Sequence, residues 1–79
     1  MPIRTESRTS FVSELFDYAG GSNITYHGIA HPGALVTEAK WQIKKFTYDA
    51  SSNITKIEWA GGVSENDKIW NSRTTYTYS

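Results

Sequence analysis

A chain of 79 residues is long enough for one domain, and because it has no cysteine it can form neither a disulfide nor a thiolate zinc site. Its eight basic and eight acidic side chains cancel, so the positive excess typical of nucleic-acid-binding proteins is missing and nucleic acid is not an expected partner. No apolar run approaches the roughly 20 residues of a membrane span, and residues 1–6 lack the apolar core of a signal peptide, which predicts a non-membrane protein made in the cytoplasm.

The composition is rich in aromatic residues. Three tryptophans, five tyrosines and three phenylalanines make up 14% of the chain. Each of these side chains buries roughly 150–250 Å² when packed. A small domain without disulfides needs another source of stability. We therefore expect a dense aromatic core, self-association, or both.

The first ten residues are polar and charged, and they predict an extended N-terminal arm with Arg4 and Arg8 as candidate partner contacts. Residues 11–79 are expected to form the single β domain. The apolar spacing within residues 11–18 fits either a short helix or a bulged strand. The β-rich sequence that follows favours the strand.

Two strands and a hairpin are predicted next. Residues 24–30 and 38–48 are rich in β-branched and aromatic residues, and residues 54–60 return after a turn at 49–53. In the second strand Phe46 has the opposite parity to Trp41, which predicts either a β-bulge at residues 44–45 or a sheet covered on both faces. The predicted structural core contains Trp41, Ile43, Phe46, Ile57 and Trp59.

The C-terminal part predicts a loop or a short helical turn near residues 65–70, followed by a closing strand at 74–78 where threonine and tyrosine alternate. The expected fold is all-β, a small antiparallel sandwich or barrel of five or six strands. Trp70 is expected either to plug one end of it or to lie at the surface. Tyr76 and Tyr78, on a closing edge strand, are the other candidate partner contacts, since exposed edges pair readily with other chains.

One short segment occurs twice. Ser-Asn-Ile-Thr at residues 22–25 recurs at 52–55, and Ala30 matches Ala60 at the same spacing of thirty residues. A duplicated hairpin would produce this pattern. Two independent turns would also produce it, because Ser-Asn favours turns and Ile-Thr favours strands, and this second interpretation is the one preferred from sequence.

No arrangement of residues predicts catalysis. His27 and His31 are spaced as helical metal ligands, but on a strand that geometry is lost. No serine has the flanking pattern of a nucleophile elbow, and neither Gly-Gly pair has the lysine of a phosphate-binding loop. We therefore expect a protein that is not an enzyme and that has no catalytic residues, cofactor or metal site.

From about residue 24 onward the chain resembles a group of small structural proteins of tailed bacteriophages. The resemblance rests on short elements in a fixed order: Tyr26-His27-Gly28-Ile29-Ala30, Ala39-Lys40-Trp41-Gln42-Ile43-Lys44, Ile57-Glu58-Trp59-Ala60-Gly61 and Ile69-Trp70-Asn71-Ser72-Arg73. The chain departs from the group at the Gly61-Gly62 pair, where an acidic residue and a glycine are expected. Residues 1–20 match nothing in the group.

The resemblance implies a virion protein that acts through protein–protein contacts in the tail, neck or capsid surface. Its expected partners are further copies of itself, larger virion proteins, or both. The alternative is a β module that binds a carbohydrate or a host receptor by stacking on Trp70, Tyr76 and Tyr78.

Overall fold

The structure, a computed structural model, describes residues 12–79, and the predicted arm with Arg4 and Arg8 lies outside the described residues. Over residues 12–79 the fold is all-β, as predicted, with five antiparallel strands and one 3₁₀ helix at Trp70–Thr75. The strands are β1 (Ser13–Asp17), β2 (Tyr26–Ala30), β3 (Ala39–Tyr48), β4 (Ile54–Trp59) and β5 (Lys68–Ile69).

The five strands form one antiparallel sheet around β3. The strand order is β1-β2-β3-β4, and β5 pairs with the beginning of β3 at Ala39 and Trp41. β1 confirms that residues 11–18 contain a strand rather than a helix. The predicted turn between β3 and β4 is also present, and the Asp49 carboxylate holds it by accepting hydrogen bonds from the backbone N–H groups of Ser51 and Asn53, both at 2.9 Å.

The core lies on one face of this sheet, under the C-terminal part of the chain. Trp41 and Ile43 are each 1% exposed, which confirms both as core residues. The 3₁₀ helix places the Trp70 ring over Gly28, where an added Cβ would lie 2.6 Å from the ring. A glycine is therefore required at this position of β2. Among the described residues, the buried hydrophobic core consists of Ala30, Trp41, Ile43, Ala60 and Trp70.

The predicted closing strand at residues 74–78 is wrong. The 3₁₀ helix continues to Thr75, and after it only Tyr78 makes a β-bridge, to Ala60. Two hydroxyl groups explain the compact turn. The Tyr76 Oη accepts a hydrogen bond from the Ile69 N–H at 2.8 Å, and the Tyr78 Oη donates to the Arg73 carbonyl at 2.7 Å. The helical turn expected near 65–70 thus begins at the end of that range, at Trp70.

The predicted bulge at residues 44–45 is also wrong. The register of β3 with β4 is unbroken from Lys44 to Thr47 and shifts only between Thr47 and Tyr48. Side chains of an uninterrupted strand alternate between the two faces. Phe46 therefore lies on the face opposite to Trp41 and Ile43.

Candidate functional site

The sheet has two faces with different surroundings. We call the face that carries Trp41 and Ile43 the inner face, and the opposite one the open face. Within residues 12–79 no strand or helix packs over the open face, and the loop after β4 reaches it at Gln42, whose side-chain amide donates a hydrogen bond to the Ser64 carbonyl. By the alternation of the paired strands, the open face carries Glu14, Phe16, His27, Lys44, Phe46, Ile57 and Trp59.

A row of four side chains crosses the open face from one edge to the other. Phe16 is paired with His27, His27 with Lys44, and Lys44 with Trp59. The Phe16 ring stacks on the His27 ring with 4.8 Å between centroids, and the Lys44 Nζ lies 5.3 Å from the Trp59 ring centroid. The row thus has an aromatic ring at each end, with the imidazole of His27 and the ammonium of Lys44 between them, and the ammonium lies beside the Trp59 ring.

His27 is the buried polar residue of this row. Its residue exposure is 9%, because the Phe16 ring covers one side of the imidazole. Its Nε2 lies 2.8 Å from the Glu14 Oε1, so the imidazole has a hydrogen-bonding partner. His27 therefore helps to hold Phe16 and Glu14 in place on the open face, while His31 lies exposed beyond the end of β2.

The open face also contains residues that the sequence assigned to the core. Ile57 is 49% exposed, so its assignment to the core is wrong. Phe46 and Trp59 are only partly buried. All three were expected to share a core with Trp41, and the unbroken register of β3 instead directs them to the other face. These three form an apolar area at the surface, and Phe16, itself 49% exposed, lies on the same face at β1, separated from them by β2.

The C-terminal candidates lie on the inner face. Trp70 is 6% exposed, so it is a core residue and not a surface contact. The hydroxyls of Tyr76 and Tyr78 are both engaged in hydrogen bonds within the chain. Burial raises the pKa of the Tyr78 hydroxyl above its ordinary value. The stacking platform that the carbohydrate-binding alternative needs is therefore not formed by these three residues.

Within residues 12–79 the two outer strands, β1 and β4, have backbone groups without a strand partner. Ala60 N–H donates to the Ile43 carbonyl, and Phe46 N–H donates to the Thr25 carbonyl. Because paired residues alternate along an antiparallel ladder, these bonds show which backbone groups of β1 and β4 point towards the neighbouring strand and which point away from the sheet. On β1 the groups of residues 14 and 16 point outward, and on β4 those of 55 and 57. Within the described chain no strand pairs with them. At the end of β4 the outward groups of residue 59 are bonded to Ser79.

Residues 12–79 contain no cleft that would enclose a ligand and no group of three histidine, aspartate or glutamate side chains placed to hold a metal. None of the helical segments described is long and apolar enough to cross a membrane. Comparisons with protein-family models, curated proteins and solved structures find no match to this chain.

Proposed function

We propose that this chain is a structural subunit of a tailed-phage particle and that it acts through protein–protein contacts. The observation that carries the proposal is the open face, where Ile57 is about half exposed beside Phe46 and Trp59, and Phe16 is equally exposed on β1. Soluble monomers rarely expose contiguous apolar areas of this kind unless a partner covers them. Aromatic residues are also enriched in the centres of protein interfaces.

The chemistry of the open face indicates what kind of surface would cover it. Near its middle the ammonium group of Lys44 lies over the Trp59 ring, and on its other side Lys44 is paired with His27. A complementary surface has apolar side chains with an acidic group at its centre, since a buried ammonium needs an opposite charge. Such a surface on a larger virion protein is the proposed partner of the open face.

The resemblance of residues 24–79 to small phage structural proteins supports the same setting. The elements that carry the resemblance include Trp41, Gly28 and Trp70. In this structure those three residues pack against one another and form the core. The resemblance therefore rests partly on residues that determine how the chain folds. The location that we propose for the folded domain is the virion.

The test is incorporation into particles. Particles of a phage that encodes this chain are purified on a density gradient, and the chain is quantified by mass spectrometry in the wild type and in a Phe16→Ser, Ile57→Ser double variant. We expect the chain in wild-type particles and at least a tenfold lower amount in the double variant. Val63→Ser is the matched control, because Val63 is 41% exposed but lies off the sheet.

Two results would contradict the proposal. Wild-type particles without the chain would exclude a virion component. Equal incorporation of the double variant and the control would exclude the open face as the contact. The thermal unfolding of each purified variant shows whether it is folded, so that a loss of incorporation is not mistaken for a loss of structure.

A further inference from the structure

The two hairpins of the sheet have related sequences. When residues 16–25 are aligned with residues 46–55, six of the ten positions are identical. Two of the six are aromatic, Phe16 with Phe46 and Tyr18 with Tyr48. The other four are the Ser-Asn-Ile-Thr segment that ends each turn. The similarity thus extends from the turn into the strand that precedes it.

The pairing of the strands repeats with the same spacing. Phe16 is paired with His27 in the first hairpin, and thirty residues later Phe46 is paired with Ile57 in the second. The same relation holds at the next pair, since Asp17 opposite Tyr26 becomes Thr47 opposite Lys56. It also holds at the far end, where Ser13 opposite Ala30 becomes Ile43 bonded to Ala60.

A shared turn sequence alone does not explain this agreement. Two unrelated turns that follow the same local rule need not be flanked by matching aromatic residues or have equal strand registers, because register depends on the whole pattern of each strand. The two turns also lie side by side, with the Asn23 side-chain amide donating to the Ser52 hydroxyl at 3.1 Å. The geometry points to one hairpin built twice, contrary to the interpretation preferred from sequence.

This repeat shows how one hairpin is added to another. The second hairpin joins the first through β2 and β3, with His27 opposite Lys44. β3 is the first strand of its hairpin, and β1 is the equivalent strand of the other. β4 is equivalent to β2. The outer edge of β4 is therefore equivalent to the edge of β2 that pairs with β3. The outer edge of β1 is equivalent to the edge of β3 that pairs with β2.

We propose that a second copy of this chain continues the sheet, its β1 pairing with β4 of the first copy in the register of β3 on β2. In this register Ile57 of the first copy lies opposite Glu14 of the second copy. This pair is equivalent to His27 opposite Lys44 within the chain. The inference rests on the proposed function, because both take the partner to be a protein. At the sheet edge, that protein is a second copy of the chain. The paired segments are residues 55–58 of one copy and residues 13–16 of the other.

The backbone and the side chains of both edges fit this arrangement. The outward N–H and C=O groups of Ile57 face those of Glu14 in the second copy, as the equivalent groups of β2 and β3 do in the chain. No like charges are placed opposite each other, and Lys56 comes diagonally across from Asp17 of the second copy. Exposed large apolar residues are found beside both edges: Val12, Phe16 and Tyr18 near β1, and Ile54 and Ile57 on β4.

The contact is short. Ser79 already occupies the outward groups of Trp59, so the shared ladder ends at Glu58. Stable interfaces bury about 1,200–2,000 Å² in total, and four residues on each side give less than that. The contact is therefore weak in dilute solution and forms where copies are concentrated. Because it joins two different edges, it repeats head to tail and gives a ring or a filament.

Disulfide trapping tests the register directly, since the natural chain has no cysteine. Full-length Glu14→Cys and Ile57→Cys variants, one with a size tag, are mixed over a range of concentrations and oxidised. Opposite residues of a hydrogen-bonded pair have Cα atoms about 5.5 Å apart, which suits a disulfide. We expect the mixed dimer to form at least tenfold faster than with Val63→Cys as the partner, because Val63 is comparably exposed but lies away from the edge.

A second pair checks the same register from the inner face. Ser13→Cys and Glu58→Cys form the neighbouring non-hydrogen-bonded pair, with Cα atoms about 4.5 Å apart. Circular dichroism of each variant confirms that it is folded. Equal rates for Ile57→Cys and Val63→Cys at every concentration, with the second pair equally slow, would overturn the proposal. Trapping that appears only after removal of residues 1–11 would also overturn it, because the arm would then hold the edge.

The outcomes separate this inference from the proposed function. A chain that is present in particles but is never trapped in this register keeps the proposed function and removes the second copy from the edge. A chain that is trapped but is absent from particles keeps the self-association and removes the virion role.

Discussion

Arg73 and Asp17 join the two ends of the described chain, 56 residues apart in sequence. The Arg73 Nε donates a hydrogen bond to the Asp17 Oδ2 at 2.7 Å, and the other carboxylate oxygen accepts one from the Ala19 N–H at 2.8 Å. The Arg73 guanidinium carbon also lies 4.5 Å from the centroid of the Trp70 ring. One ion pair therefore connects the end of β1 to the 3₁₀ helix that covers the core.

Because of this ion pair, we expect the free energy of unfolding to decrease at acidic pH. The Ala19 N–H and then Arg73 lower the pKa of Asp17 below its ordinary value of 3.8. A carboxyl group whose pKa is lower in the folded state stabilises that state above the ordinary pKa, and the contribution is lost as the pH falls from there through the lowered value. Asp17→Asn is expected to be less stable than the wild type at neutral pH. The difference in free energy of unfolding shrinks below pH 3.8.

Urea unfolding of both proteins at neutral and acidic pH measures this difference. Asp67→Asn is the control, since Asp67 contacts the neighbouring Lys68 and its side chain is 55% exposed. A difference between wild type and Asp17→Asn that stays constant from neutral pH to below the lowered pKa would show that the ionised carboxylate does not stabilise the fold.

Gly28 predicts a second, steric effect. A Cβ at this position would lie 2.6 Å from Trp70 and 3.2 Å from Trp41, and both rings are held in the core. Gly28→Ala is therefore expected to destabilise the fold by about 1–3 kcal/mol, the usual range for overpacking. At Gly21 the nearest atom to an added Cβ is 3.6 Å away, so Gly21→Ala serves as the control. Equal thermal unfolding of the two variants would contradict the close packing of Trp70 on β2.

Tyr78 predicts a loss of stability at alkaline pH. Because burial raises its pKa, the folded state resists ionisation of the hydroxyl, and the stability that this contributes is lost as the pH rises above the ordinary value of 10.0. Tyr78→Phe loses the hydrogen bond to the Arg73 carbonyl and is expected to cost about 0.5–1.5 kcal/mol at neutral pH. Its stability should then fall less steeply above pH 10.0 than that of the wild type.

Chemical unfolding across this range measures the effect. Tyr18→Phe is the matched control, because Tyr18 is 46% exposed. If Tyr78→Phe and Tyr18→Phe were equally stable at neutral pH and equally sensitive to alkali, the Tyr78 hydroxyl would not be part of the folded core.

The N-terminal arm remains a prediction from sequence. If residues 1–10 tether the domain to a larger virion protein, their deletion lowers incorporation into particles and leaves the thermal unfolding of the domain unchanged. A double Arg4→Ala, Arg8→Ala variant measures how much of the tether depends on the two cations. Unchanged incorporation of the deletion variant would exclude the arm as a tether.

The strands and turns with local patterns were predictable from the sequence. The hairpin between β3 and β4 follows from an Asp-to-Asn turn between alternating strands, and Trp41 and Ile43 follow from their shared parity. These predictions hold because turn preference and strand alternation are properties of neighbouring residues.

The open face was not predictable in the same way. Alternation shows that Ile57 and Trp59 share a face, but which face is covered depends on where the C-terminal residues pack. Trp70 fills the space over Gly28, and Arg73 is held by Asp17, so the inner face is the one that is closed. The same contacts convert the expected strand at 74–78 into a 3₁₀ helix and a single bridge. These are long-range contacts that a local pattern does not encode.

The position of Trp70 in the chain has a consequence for biosynthesis. Trp70 and Tyr78 complete the core, yet both follow all four strands of the main sheet path. While the ribosome still holds these residues, the strands already made expose the indole of Trp41 and the rest of the inner face to water. Folding of this sheet therefore finishes only after Trp70 and Tyr78 emerge, and until then nascent chains crowded on one messenger RNA can pair incorrectly with one another.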